Sequence, residues 1–372
     1  MLRIIMLLLV TFAAGCDSPE RLANPETDSI RVDQRMGAPP DPGFERALEP
    51  RAFEFPRDHG AHPGFATEWW YFTGNLYGPD GRRFGYQFTL FRVGLEPGQP
   101  VADSDWRTNQ VYMGHLAVSD IANRRHYSTE RLARAAAGLA GGKVPPLHVW
   151  LGPWSISGSQ EGIFPLKLAA ATTDFGITLT LQSGNRPMVL QGDRGLSLKG
   201  AAPGNASYYY SYTRLPTRGE IHFGGERFEV TGNSWFDREW SSSALAADQA
   251  GWDWFALQFD DGRDLMFYRM RDRQGLAQSF SAGVLVDKGG GVIPLSLDQV
   301  DLNPTRHWQS GQGASYPVAW RLQAPDLNLD LQVEAAFDNQ EMPLTVRYWE
   351  GAVDVSGSHT GVGYLELSGY AQ

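Results

Sequence analysis

The chain has 372 residues, with 42 Asp and Glu against 32 Lys and Arg, a formal net charge of −10 and a single cysteine. That mildly acidic balance argues against a nucleic-acid partner, and one cysteine leaves no thiol pair for a disulfide or a thiolate metal cluster. Aromatic residues make up 12% of the chain, with 12 Trp, enough to fill a core and still line a pocket, while 42 Gly and 23 Pro cut it into short segments, as in a β-rich protein.

At the start, Arg3 precedes an apolar run over residues 4–12, then Ala13-Ala14-Gly15 and the lone Cys16. A charged start, a short apolar middle and small residues before a cut read as a secretory signal over residues 1–15. The run is too short for a permanent span, which takes about 20 residues. Small residues directly before a lone cysteine look like a bacterial lipobox, which makes Cys16 a lipidation site and the first residue of the mature chain. An ordinary cleaved signal with an incidental cysteine is the alternative. Asp17 resembles an inner-membrane retention signal. The expected location is the cell envelope, as a periplasm-facing lipoprotein held at the inner membrane through its lipid anchor. Loss of Arg3 with the signal moves the formal charge from −10 to −11.

Residues 16–50 read as the lipidated cysteine and a flexible tether, since Asp17-Ser18-Pro19, Asn24-Pro25 and the Pro- and Gly-rich residues 37–43 carry turn formers and little periodicity. From residue 51 onward strand follows strand. Trp69-Trp70-Tyr71-Phe72, an Asp80-Gly81-Arg82 turn and the alternating residues 84–91 predict a hairpin. Further hairpins are expected at residues 176–181 with 187–191 and at 219–223 with 227–232. One helix is expected near residues 128–139, where Glu130, Arg131, Leu132, Ala133 and Arg134 lead into a run of alanines. The first hairpin is echoed by Trp252-Asp253-Trp254-Phe255, Asp261-Gly262-Arg263 and a second aromatic strand ending in Arg269. This repeat predicts two related β-domains, over residues 51–215 and 216–372.

Three constellations carry chemistry. In Glu68-Trp69-Trp70-Tyr71-Phe72, strand alternation sends Trp69 and Tyr71 to one face and Glu68, Trp70 and Phe72 to the other. A carboxylate among large rings must be paired, solvated or neutral. His59 and His62 lie just upstream, but their loose spacing in a Pro/Gly loop makes a poor ligand set, and no metal is expected. In Asn233-Ser234-Trp235-Phe236-Asp237-Arg238-Glu239-Trp240, alternation puts Asp237, Glu239 and Trp235 on one face and Arg238 on the opposite one. Crowded carboxylates beside an indole suit general acid work; a structural Asp–Arg–Glu network is the other reading. Trp252-Asp253-Trp254 and Tyr348-Trp349-Glu350 again set acids beside indoles, and with Tyr208-Tyr209-Tyr210 they suggest an aromatic interior with a few carboxylates. No Gly-x-Ser-x-Gly elbow, phosphate-binding Gly-Lys-Ser/Thr loop or His-Glu-x-x-His is present, and no cofactor is expected.

These segments, together with Tyr348-Trp349-Glu350-Gly351-Ala352-Val353 and Gly363-Tyr364-Leu365-Glu366-Leu367-Ser368-Gly369-Tyr370, resemble the AttH-like proteins, a group similar to the carotenoid 1,2-hydratases (hydroxyneurosporene synthases). The resemblance spans nearly all of residues 50–372. It implies an all-β fold of two lipocalin-like (calycin-type) antiparallel β-barrel domains with few short helices. It departs from the hydratases at Arg238, where they carry a histidine, and after Phe267-Tyr268, where they tend to carry an acid and this chain has Arg269-Met270.

The expectation is an aromatic, carboxylate-bearing cavity between or within the barrels, holding a hydrophobic, isoprenoid or lipid-like small molecule. As an enzyme, a hydratase or hydrolase, the protein would use Asp237 or Glu239 as the acid and Glu68 as a second acid or water-positioning base. Trp69, Trp70, Tyr71, Trp235, Trp240, Trp252, Trp254, Tyr268 and Trp349 would bind the ligand, their faces stabilising a developing cation. The rival is a non-catalytic carrier that hands an apolar ligand to a membrane partner such as an ABC-type transporter.

Overall fold

The computed structural model describes residues 42–98, 104–243, 245–246 and 248–370. The expected signal, Cys16 and most of the expected tether lie outside them. Two antiparallel sheets carry the described chain, and the only helices among these residues are three short 3-10 turns, at Arg57–His59, Leu297–Gln299 and Pro325–Leu327.

The first sheet runs, in spatial order, through Arg125–Arg134, Gln110–Asp120, Arg83–Gly94, Thr67–Tyr77, Glu226–Ser241, Ala206–Phe223, Phe175–Leu181, Leu166–Ala171, Trp154–Ser157, His148–Leu151 and Ala140–Lys143. It curls until the strands at its two ends approach one another, giving a nearly closed barrel. The second runs through Val292–Ser296, Ala282–Val286, Asp264–Asp272, Gln249–Phe259, Gly361–Leu367, Tyr348–Gly357, Leu329–Ala335, Ser315–Ala324 and Asp301–Gln309, and curls into a half-barrel.

Each sheet has its own packed interior. Trp70, Phe72, Phe88, Leu90, Trp154 and Trp240 fill the first, and Phe255, Leu257, Trp320, Trp349 and Leu365 the second. A fully buried side chain of this size contributes roughly 1.5–3 kcal/mol. A third cluster, with Tyr71, Tyr209, Trp235, Trp254, Tyr268 and Tyr364, lies between the two sheets and is built from their outer faces. This explains why Thr67–Tyr77 is buried along most of its length on both faces: one faces the barrel core and the other the second sheet.

The echoed hairpins share one turn. Asp80 and Asp261 accept the N–H of the residue two positions on, Arg82 at 3.0 Å and Arg263 at 2.9 Å, and the intervening Gly81 and Gly262 sit at φ +80° and +90°. That backbone conformation favours glycine.

Four local expectations are corrected. Residues 128–134 of the expected helix belong to the strand Arg125–Arg134, because the ladder with Gln110–Asp120 outweighs helix propensities that differ by tenths of a kcal/mol per residue. Residues 176–181 and 187–191 do not pair with each other; both strands, Phe175–Leu181 and Val189–Leu190, pair with the long Ala206–Phe223. The border expected near residue 215 falls inside the first sheet. Ala206–Phe223 and Glu226–Ser241 are one hairpin whose second arm is hydrogen-bonded to Thr67–Tyr77, so the second sheet begins only with Gln249–Phe259. Finally, the tether ends before residue 50, since Phe44 and Ala47 are buried and the Glu45 N–H donates to the Gly64 carbonyl at 2.8 Å.

Candidate functional site

Where the outer faces of the two sheets meet, they enclose a cavity of about 300 Å³, at the small end of the roughly 300–1,000 Å³ usual for small-molecule sites. Trp69, Tyr71, Tyr209, Asp237 and Glu239 come from the first sheet, Trp252, Trp254, Tyr268, Met270 and Glu366 from the second, and Ser243 and Leu245 of the connecting segment join the wall. The barrel interiors are packed; the cavity belongs to neither.

Register builds the first wall. Asp237 lies opposite Tyr71, Tyr71 opposite Thr89, and Thr89 opposite His115, so side chains distant in sequence form one polar row across four strands. At one end, Asp237 is 3% exposed and accepts hydrogen bonds from Tyr209 Oη at 2.6 Å, Ser211 Oγ at 2.6 Å and Trp235 Nε1 at 2.7 Å. Burial pushes its carboxyl up, these three donors draw it back and the Glu239 charge adds to the rise, leaving it at about 7. Trp254 Nε1 donates in turn to Tyr209 Oη at 3.3 Å. Glu239 is paired with Lys199, 3.4 Å away, whose ammonium sits 4.0 Å from the Tyr268 ring centroid.

At the other end of the row, His115 Nδ1 is 2.8 Å from the Tyr348 hydroxyl, and burial holds the imidazole down at about 3, so it is neutral. Tyr71 donates its hydroxyl to Glu350 Oε1 across the seam between the sheets. Glu350 faces Glu366 on the next strand. Burial pushes both carboxyls up, Glu366 to about 8, and each is raised further by the charge of other buried acids.

The sequence reading placed several of these residues well. Trp69, Tyr71, Trp252, Trp254, Tyr268, Asp237 and Glu239 all line the cavity, and Trp235 stands behind Asp237. Four others are elsewhere, because alternation turns them inward. Trp70 and Trp240 are in the first barrel core and Trp349 in the second. Glu68 is fully buried on the barrel side, bonded to Arg92 and Arg238 and to the His62 N–H at 2.9 Å. Burial would raise its carboxyl, but the two guanidiniums hold it well below the usual range. Arg238 likewise points away from the cavity, with its guanidinium 4.0 Å from the Trp70 ring centroid. The histidine nitrogens near Glu68 are engaged: His59 Nδ1 is 2.6 Å from Tyr210 Oη, and His62 Nε2 is 3.1 Å from Asp58.

Glu366, Lys199 and His115 are functional groups that the sequence reading did not single out, and Glu350 and Tyr209 entered it only as parts of aromatic segments. Alternation within Gly363-Tyr364-Leu365-Glu366-Leu367 separates Glu366 from the apolar face, but only its pairing with the buried Glu350 reveals an acid couple.

With this geometry in place, comparison with known proteins gives a coherent result. The AttH-like family model matches residues 46–370. An AttH protein of Nitrosomonas europaea is 34% identical, with 88% of this chain and 100% of that chain covered and a TM-score of 0.77. The fold is shared with kievitone hydratase of Nectria haematococca, at 14% identity, 88% and 98% coverage and a TM-score of 0.63. It is shared also with CghA in complex with Sch210972, at 12% identity, 90% and 98% coverage and a TM-score of 0.52. No curated protein matches the chain by sequence. The protein belongs to the AttH-like family.

Proposed function

We propose that the cavity between the sheets binds a small hydrophobic molecule and moves a proton to or from it, adding water across a carbon–carbon double bond or removing it. The carrying observation is Asp237, a carboxyl poised at about 7 by burial against neutral donors, in a wall otherwise made of Trp69, Trp252, Trp254 and Tyr268. Protonating an alkene leaves a carbocation. Aromatic faces stabilise that cation, and an apolar site keeps stray bases from it. Asp237 is half ionised near neutral pH, so it serves as acid in one direction and base in the other. Kievitone hydratase, of the same fold, is a hydratase by name; the likeness is one of fold, and the chemistry is argued from this cavity.

The protein is further proposed to work on the periplasmic side of the inner membrane, carried there by lipidated Cys16. The test of the chemistry uses myrcene, a short acyclic isoprenoid alkene, in water enriched in heavy oxygen. Mass spectrometry should find a labelled alcohol with the wild type and not with Asp237→Asn. Unchanged myrcene, bound equally by both proteins, would overturn catalysis and favour a carrier that passes its ligand to an ABC-type transporter.

A further inference from the structure

We propose that Glu366, backed by Glu350, is a second proton-transfer residue of this cavity, donating to the ligand from the wall that faces Asp237. The inference rests on the proposed proton chemistry and names a partner for Asp237 in it.

Three observations carry it. Glu366 lines the same cavity as Asp237 but from the other sheet. Glu350 lies directly opposite Glu366 on the adjacent antiparallel strand, on the same face, at the spacing of a cross-strand pair. Glu350 is 1% exposed, and while its Oε1 accepts from Tyr71, its Oε2 has no hydrogen-bond partner. A buried carboxylate oxygen without a donor is costlier than the neutral carboxyl. Glu350, out of water and directly opposite the half-buried Glu366 that lines the cavity, favours a proton shared between the two carboxyls. The groups around them do not reverse this. Glu366 meets the Trp252 indole and feels Glu239 and Asp237, while Glu350 is bounded by Tyr71, Tyr348 and Glu366. Tyr364 also lies near Glu350. Beyond these, His115 is neutral beside Tyr348, Glu130 acts on Tyr348, and the Lys199 ammonium is paired with Glu239.

The two walls therefore differ in what they offer. Asp237 receives donors on both its oxygens, Tyr209, Ser211 and Trp235, an arrangement that suits a carboxylate. The glutamate couple meets fewer donors than it has oxygens, Tyr71 and Tyr348 at Glu350 and the Trp252 indole at Glu366, and each carboxyl faces a second acid, an arrangement that suits a shared proton. In the hydration direction Glu366 gives its proton to one alkene carbon, forming a C–H bond and leaving a carbocation on the other. Water adds its oxygen there and releases a proton to the Asp237 carboxylate. The couple has lost one proton and Asp237 has gained one, and exchange through cavity water restores both. Dehydration runs the same steps backward. Glu366 is the catalytic residue; Glu350 positions the proton on it.

The test combines two measurements on the full chain. Infrared difference spectra across a pH titration should show a protonated carboxyl that persists above neutral pH in the wild type. Both Glu366→Gln and Glu350→Gln should abolish it, while Asp237→Asn removes a separate carboxyl titrating near 7. With myrcene as the probe, Glu366→Gln should lose about a hundred-fold or more in turnover. Glu350→Gln should lower turnover less than Glu366→Gln does and move the alkaline limb of the pH profile to lower pH, which a merely structural role would not do. Wild-type turnover by Glu366→Gln would overturn the inference and leave the proposed function standing. So would loss of the infrared band in neither glutamine variant. A wild type that binds myrcene and never hydrates it would overturn the proposed function, and with it the role of Glu366.

Discussion

Glu68 and Asp237 lie on adjacent strands of one sheet, and both are almost wholly out of water. They face opposite ways and behave as opposites. Inside the barrel, Glu68 meets two guanidiniums and stays ionised. Outside it, Asp237 meets a phenol, an alcohol and an indole and is drawn toward the neutral form. Burial alone does not decide a carboxyl's state; the charge of its partners does. The strand that carries Arg238 also carries Asp237, so alternation delivers a cation to one face and withholds it from the other.

The largest effect that would break or sharpen this contrast is expected at Glu68. Glu68→Gln strands Arg92 and Arg238 without a counter-charge and should cost about 3–5 kcal/mol in urea unfolding. A loss below about 1 kcal/mol would show that the guanidiniums find other partners and that the comparison fails. Next comes the pH dependence, where the two acids act with opposite sign. The stability that Glu68 contributes is complete above its unfolded value near 4.5 and is lost as pH falls toward its depressed folded value. For Asp237, between the ordinary 3.8 and about 7, the folded chain holds a proton that the unfolded chain has released, so stability falls as pH rises. That share of the slope amounts to about 4 kcal/mol across the window, and Asp237→Asn should remove it, leaving the part that the raised Glu350 and Glu366 carboxyls contribute. An equal slope in both proteins would place the titration elsewhere.

Smaller changes report on the cavity wall. Trp252→Ala removes an indole from the wall and a donor from Glu366; it should weaken binding of an apolar dye by about tenfold, or about 1.4 kcal/mol, with the unfolding midpoint little changed. Tyr71→Phe deletes the single hydroxyl that joins the first sheet to Glu350 and should cost about 1 kcal/mol. If Tyr71→Phe proved as damaging as Glu68→Gln, the seam rather than the barrel interior would carry the structure.

What the sequence disclosed was what short range determines. The Asp-Gly-Arg turns and aromatic arms at Asp80 and Asp261 specify their hairpins locally. Strict alternation set Trp69 and Tyr71 opposite Glu68, and Asp237 and Glu239 opposite Arg238; the pairing of the two strands then put both sets on one face. Where pairing is non-local, the reading failed. Residues 130–134 have helix-forming side chains, yet a neighbouring strand over residues 110–120 dictates their state. The border near residue 215 was misplaced because a hairpin late in the chain returns to pair with the strand at residue 67. Glu68 was taken for a site residue because Arg92, its partner, is 24 positions away. Glu366 was passed over for the same reason, since its meaning depends on Glu350.

The hollow is bounded by surfaces that neither barrel needs for its own stability. The side chains of Trp252, Tyr268 and Leu245 belong to neither sheet's apolar interior. Exchanging those side chains therefore reshapes the cavity while both interiors stay packed. A descendant of this chain has room to acquire a new guest before it has to relearn how to fold.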